Sequence, residues 1–293
     1  MEGFLNLNKS AGMTSHDCVN RVRRLLKERR VGHGGTLDPA AVGVLPMAIG
    51  PMTRLLRFME GNKVYQAAIV LGIATDTDDL EGQELHRQAM PEVTEDFVEG
   101  ILGNFLGTIE QIPPRYSAVH KDGKRLYELA RAGIEVEPEA RTVSIQRLDI
   151  LQWQPGDFPK VKIEIECSSG TYVRSIARDL GQQLGGYGTL AYLVRSQSGG
   201  FHLDHAIDLE QIQDLLEHDQ PIPLLSPKVA LSHLPVAYLT SDQAELWCFG
   251  QKVFWPGDSG HVQVWEEDED NFLGIAQCDN RKLQPVTVLR GIQ

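Results

Sequence analysis

Between Val161 and Cys167 the chain alternates strictly: Val161, Ile163, Ile165 and Cys167 are apolar, and Lys162, Glu164 and Glu166 between them are charged. Successive side chains of a strand point to opposite faces, so this period of two predicts a strand with one buried and one solvated face. Such a strand needs a sheet around it and a core beneath it. The chain is long enough for both, with 293 residues, 42% hydrophobic and 23% charged. That mix suits one large domain plus a small one, without long disordered stretches.

Other elements can be read the same way. Residues 4 to 8 alternate like a strand, and Ser10-Ala11-Gly12 breaks it. Thr14 or Ser15 caps a helix whose apolar face is Val19, Val22, Leu25 and Leu26, while Arg21, Arg23, Arg24, Lys27, Arg29 and Arg30 occupy much of the rest. A glycine-rich loop, Gly32-His33-Gly34-Gly35, leads to Asp38-Pro39. Residues 44 to 49 are apolar, and Pro51 can open a second helix through Leu55, Leu56 and Met59. Residues 65 to 71 read as a buried strand, Thr75-Asp76-Thr77-Asp78-Asp79 as an acidic turn, and Thr94 as the cap of a helix to about 102. Ser168-Ser169-Gly170 turns into a helix through Ile176, Leu180 and Leu184; Asp208 caps another, ending near 217. Pro221-Ile222-Pro223 and Ser226-Pro227 mark a linker. Beyond it, short strands at 253–254, 262–265 and 286–289, with Gly/Asp/Asn turns, suit a small β-barrel.

Composition excludes several classes. The opening residues have no basic start or apolar run, so no leader peptide is expected, and no stretch is apolar enough to span a bilayer. Cys18, Cys167, Cys248 and Cys278 lie far apart, with no C-x-x-C pair to suggest zinc or a disulfide framework. A reducing cytoplasm fits. The net charge of −12 argues against a nucleic-acid partner until its distribution is examined. From Lys9 to Lys63 there are ten Lys/Arg against four Asp/Glu, and the opposite bias sits at residues 266 to 270. The acidic run reads as a solvated face.

Four segments can carry chemistry. Asp38 follows two glycines, which let backbone approach a ligand, and precedes Pro39, which stiffens it. A carboxylate there can serve as nucleophile or base, although an Asp so placed is more often a turn residue. Arg174, in Ser169-Gly170-Thr171-Tyr172-Val173-Arg174, can hold a carboxylate through its planar fork. Tyr65, in Lys63-Val64-Tyr65, is either core or a surface on which a base stacks. Pro113-Pro114-Arg115-Tyr116-Ser117-Ala118, followed by Lys121, Lys124, Arg125 and Arg131, is a solvated loop or an arm that grips phosphates.

In combination these segments become specific. Asn8-Lys9 with Gly12-Met13-Thr14-Ser15, then Gly32-His33, Gly35-Thr36-Leu37-Asp38-Pro39 and Gly43-Val44-Leu45-Pro46, resemble the opening of bacterial tRNA pseudouridine-55 synthases. Lys63-Val64-Tyr65, Pro-Pro-x-Tyr-Ser-Ala, Tyr127-Glu128-Leu129-Ala130-Arg131 and Gly170-Thr171-Tyr172-Val173-Arg174 continue the resemblance in order, over roughly residues 3 to 200. Ser10 stands where proline is usual and Val42 where threonine is common; both bear on loop stiffness more than on chemistry.

The resemblance implies an α+β fold: a mixed, largely antiparallel sheet with flanking helices and a cleft, plus a small C-terminal PUA-like barrel. It implies a catalytic domain over 1–228, with an RNA-gripping insertion near 108–140, and an RNA-binding domain over 229–293. The implied reaction isomerises uridine in the T-arm loop of tRNA to pseudouridine, in the cytoplasm, by a monomer, without cofactor or metal. Asp38 would attack C1′ or deprotonate C2′ of a flipped-out nucleotide. Arg174 would hold Asp38 as a carboxylate, and Tyr172 would order the pair. Tyr65 would stack on the uracil and Leu193 would wall the pocket. His33 would hold the rearranged loop, Lys9 would support the Asp38 segment or touch phosphate, and Arg131 would lie in the gripping arm. Two other classes stay open on sequence: a nucleoside glycoside hydrolase, for which Asp76, Asp78 and Asp79 would have to supply paired carboxylates, and an RNA-binding or chaperone module without catalysis.

Overall fold

The structure, a computed structural model, describes residues 1–59, 61–117, 120–121, 124–125, 138–267 and 271–289. The chain divides into two compact units: Met1–Asp38 with Gly43–Gly61 and Ser198–Gln293, and Pro39–Val42 with Asn62–Gln197.

In the first unit, strand Gly3–Lys9 pairs antiparallel with Val42–Ile49, and Val31–His33 pairs antiparallel with the same strand. The predicted helix runs Ser15–Leu26. Thr14 is its cap, since its hydroxyl accepts from Asp17 N–H at 3.0 Å while Asp17 Oδ2 accepts from Thr14 N–H at 3.0 Å. Cys18, Val19 and Val22 are buried, and Leu25 and Leu26 half-buried.

The helix expected after Pro51 is a 3-10 helix, Gly50–Phe58. The reason is in its spacing. Met52, Leu55 and Phe58 are the buried side chains, three residues apart, which matches three residues per turn and not 3.6. The expected linker is no free tether either, because Leu225 and Phe4 exchange backbone bonds of 2.7 and 2.9 Å. The C-terminal half-barrel orders its five strands Val236–Leu239, Gly260–Glu266, Asn271–Asp279, Lys282–Val288 and Val253–Phe254. The first pair is parallel and the others antiparallel. Helix Ser241–Cys248 packs Ala244 and Trp247 into the core beneath it.

In the second unit the strand order is Gly188–Ser198, Lys63–Leu71, Lys160–Cys167, Arg141–Gln154 and Gly107–Gln111. The last four are antiparallel neighbours, as the family resemblance implies. The alternating strand behaves as its pattern requires: Val161, Ile163, Ile165 and Cys167 are fully buried. Burying each of its large aliphatic side chains contributes about 1.5–3 kcal/mol. Helix Val173–Gln183 buries Ile176, Ala177 and Leu180. Helix Glu95–Leu102 starts at Thr94, as expected, whose hydroxyl accepts from Phe97 N–H at 3.3 Å. Of the insertion near 108–140, a two-stranded ribbon, His120–Lys121 with Lys124–Arg125, is described; Arg131 lies outside the described residues.

Candidate active site

The Asp38 segment is built from its neighbours. His33 stands opposite Met47, and Gly34 N–H donates to Pro46 O at 2.8 Å. A Cβ on Gly34 would lie 3.0 Å from Met59 Cε, so the loop runs close over that side chain. His33 Nδ1 accepts from Gly35 N–H at 3.4 Å, so the imidazole braces the turn. Leu37 is buried and bonded twice to one hydroxyl: its N–H donates to Ser15 Oγ at 2.9 Å, and Ser15 Oγ donates to its carbonyl at 3.1 Å. A hydroxyl can do both at once. The residue before Asp38 is therefore pinned to the first turn of the basic helix, and Asp38 itself is half-buried. Lys9 ends its strand opposite Gly43, fully buried, with Nζ donating to Ser10 O at 3.0 Å.

The second unit carries Tyr65, Tyr172, Arg174 and Leu193. Tyr65 and Leu193 are buried on neighbouring strands. Arg174 is 5% exposed in the first turn of helix Val173–Gln183. Its guanidinium donates to Thr77 O and Tyr116 O, each at 3.1 Å, and faces Asp79 Oδ2 at 3.6 Å. One turn on, Arg178 meets Asp78 at 3.1 Å and Asp179 at 2.8 Å, and donates to Ile112 O at 2.9 Å. Gln111 fixes the start of this helix: its Oε1 accepts from Tyr172 N–H at 2.8 Å and its Nε2 donates to Tyr172 O at 3.1 Å. Arg141 lies over the Tyr172 ring at 5.8 Å.

The electrostatics of this unit are set by burial. Burial, with the Arg195 charge nearby, lowers the Lys63 ammonium to about 8. Cys167, opposite Lys63 in register, is pushed up to about 11 by burial, against the pull of the Thr171 hydroxyl. Burial raises Asp78 despite Arg178 and Arg174 beside it.

The TruB family pseudouridylate synthase N-terminal domain matches residues 23–173, and the C-terminal domain of pseudouridine synthase II TruB matches residues 235–289. The tRNA pseudouridine synthase B of Gloeobacter violaceus is 51% identical over 99% of each chain. That of Synechocystis sp. is 52% identical over 95% of this chain and 93% of its own. The chain belongs to the TruB family of pseudouridylate synthases. Its fold agrees. A crystal structure of a Cbf5–Nop10–Gar1 complex superposes with a TM-score of 0.72 at 25% identity, covering 98% of this chain and 84% of that one. An H/ACA ribonucleoprotein bound to a substrate RNA containing 2′-deoxyuridine gives 0.72 at 21% identity, covering 99% of this chain and 85% of that one.

In this TruB-family chain the predicted site residues have partners that local sequence does not reveal. Asp79 had been read as part of a turn, yet it faces Arg174. Gln111 carried no local signal, and Ser15, read as a candidate cap, instead bonds Leu37; each holds the backbone beside a predicted site residue. The basic helix shows Arg21, Arg24, Lys27 and Arg29 exposed, and none of these has a carboxylate within 4.0 Å among the described residues. Among the described residues no helix is long and apolar enough to cross a membrane.

Proposed function

We propose that this pseudouridine synthase isomerises uridine 55 in the T-arm loop of tRNA, acting as a cytoplasmic monomer. The observation that carries the chemical reading is the pinned Asp38 segment, with Leu37 bonded twice to Ser15 and a half-buried carboxylate following it. Residues 1–228 perform catalysis, with the insertion near 108–140 gripping RNA, and 229–293 add RNA contacts.

The target base flips out of the loop at a cost of roughly a few kcal/mol. Stacking on Tyr65 returns about 1–3 kcal/mol, and Leu193 walls the pocket. Asp38 acts on the sugar, by adding to C1′ or by taking the proton from C2′. The N1–C1′ bond breaks, the freed uracil turns, and C5 bonds to C1′ as the Asp38–C1′ bond breaks or, on the other route, as Asp38 returns the proton to C2′. The C5 proton leaves with help from Tyr65, and N1 gains a proton. Arg174 holds Asp38 ionised where an unpaired charge would be costly, and Tyr172 orders that pair. Its anchoring to Thr77, Tyr116 and Asp79 supports this role, because a guanidinium so fixed has little freedom to leave its place. His33 and Lys9 support the Asp38 segment, and Arg131 and the basic helix meet phosphates.

The test is tritium release from a T-arm stem-loop labelled at C5 of uridine. Release should follow the uridine at position 55 and stop when that uridine is moved by one position. Release that ignores position, or free uracil among the products, would overturn the reading.

A further inference from the structure

The 3-10 helix Gly50–Phe58 has a second edge that the uridine chemistry does not use. Arg54 and Arg57 are three residues apart, and in a 3-10 helix such side chains eclipse. Both are held by the last strand of the C-terminal sheet: Arg54 Nη1 donates to Val288 O at 2.7 Å, and Arg57 Nη2 donates to Thr287 Oγ1 at 2.8 Å. Arg57 also lies on the Phe58 ring, 4.6 Å from its centre, and His261 meets that ring edge-on at 5.0 Å. Beside them a cavity of about 270 Å3 is lined by Arg57, Phe58, His233, Leu234, His261 and Val286. A second, of about 520 Å3, opens where Arg54 and Arg57 meet Thr287.

No acidic residue lines either cavity, and neither arginine has a carboxylate within 4.0 Å among the described residues. In a chain of net charge −12 this is an uncompensated positive site. Among the described residues the acceptor that fixes each arginine is neutral, so the charge is oriented and not neutralised. Leu234 and Val286 supply an apolar side of the sort a ribose can cover. The same helix sets the occupant. Leu56 and Met59 pack against Gly32 and Gly34, whose added Cβ atoms would lie 2.7 and 3.0 Å from them, so one helix joins this site to the loop that leads to Asp38. An RNA seated at Asp38 brings its own backbone to the neighbourhood.

We propose that Arg57, with His233 and His261, forms a phosphodiester site that takes the sugar–phosphate backbone of the RNA substrate away from the target nucleotide. The proposal rests on the tRNA reading above for the identity of that RNA. The test compares wild type, Arg57→Gln, Arg57→Lys and His261→Gln by filter binding and by tritium release from full-length tRNA between 50 and 200 mM salt, a range over which phosphate contacts are strongly weakened. Arg57→Gln should raise both Kd and KM about tenfold with kcat unchanged. It should also reduce the log–log salt slope by about 1. Arg57→Lys should keep the slope and part of the affinity, and His261→Gln should weaken binding less than Arg57→Gln. Unchanged Kd and slope in Arg57→Gln, or a loss of kcat at unchanged Kd, would overturn the site. Filter binding needs no turnover, so a wild type that binds tRNA but releases no tritium would count against the proposed reaction and leave the phosphate site to be judged by its own variants.

Discussion

Gln111 grips both backbone polar groups of Tyr172, accepting from its N–H at 2.8 Å and donating to its carbonyl at 3.1 Å. The amide acts as a substitute strand neighbour just where the chain turns from Ser168-Ser169-Gly170 into the helix bearing Arg174. Since Gln111 is 1% exposed, its loss would leave both groups without water to replace it. Gln111→Ala should cost about 1–3 kcal/mol in thermal unfolding. It should lower kcat more than it raises KM, because misplacement by about 1 Å near the chemistry can cost on the order of a hundredfold. Gln111→Glu keeps an acceptor but no donor and should fall between. Equal activity in all three proteins would remove the positioning role.

Arg174 spans three anchors that a lysine cannot: Thr77 O, Tyr116 O and the Asp79 carboxylate. Arg174→Lys keeps the charge and loses the fork. Its kcat should fall about a hundredfold or more while circular dichroism still reports a folded protein. Retention of more than half the activity would show that charge alone suffices.

Ser15 offers a contrast with its neighbour Thr14. Thr14→Ala removes a helix cap and should cost about 1 kcal/mol with kcat near wild type. Ser15→Ala removes both bonds to Leu37, and the segment before Asp38 loses its tether. Its stability cost should be similar, about 1–2 kcal/mol. Its kcat should fall clearly below that of Thr14→Ala in the same tritium assay.

What could be read from the sequence was whatever repeats at short range. The alternation at Val161 to Cys167, the caps at Thr94 and Asp208 and the basic helix all depend on residues within one or two turns of each other. Asp38 was singled out through its ordered companions and not through its own surroundings. Thr75 to Asp79 forms the expected turn, with Asp78 at φ 62°, but the partner of Asp79 lies far along the chain at Arg174 and no local pattern shows it. Gln111 meets Tyr172 across a similar gap. Pro221 to Pro227 looked like a linker because prolines punctuate it, yet Leu225 bonds to Phe4. The 3-10 helix was locally visible and missed, in the three-residue spacing of Met52, Leu55 and Phe58, as was helix Ser241–Cys248 behind its Thr240–Gln243 capping box.

Lys63 should impose a pH dependence on stability. Burial, then Arg195, depresses its ammonium to about 8 from the ordinary 10.5. Below about 8 both folded and unfolded chains carry the proton, and the folded state bears the full penalty of a buried charge. Between about 8 and 10.5 the unfolded chain holds a proton that the folded one has shed, so stability rises with pH across that window. Lys63→Met removes the penalty. Its Tm should exceed that of wild type below pH 8, and the gain should shrink towards zero as pH approaches 10.5. A gain that does not vary with pH would mean that packing, not ionisation, sets the difference.

In the proposed reaction the Asp38 carboxylate performs the first chemical step on a uridine flipped from the T-arm loop. Asp38→Asn keeps the size of the side chain and removes the charge. Tritium release from a C5-labelled T-arm stem-loop measures the outcome directly, with filter binding as the check that RNA is still held. The variant should bind RNA about as tightly as wild type and release no tritium above background. Release at the wild-type rate would contradict the account, whichever of C1′ or C2′ is attacked first.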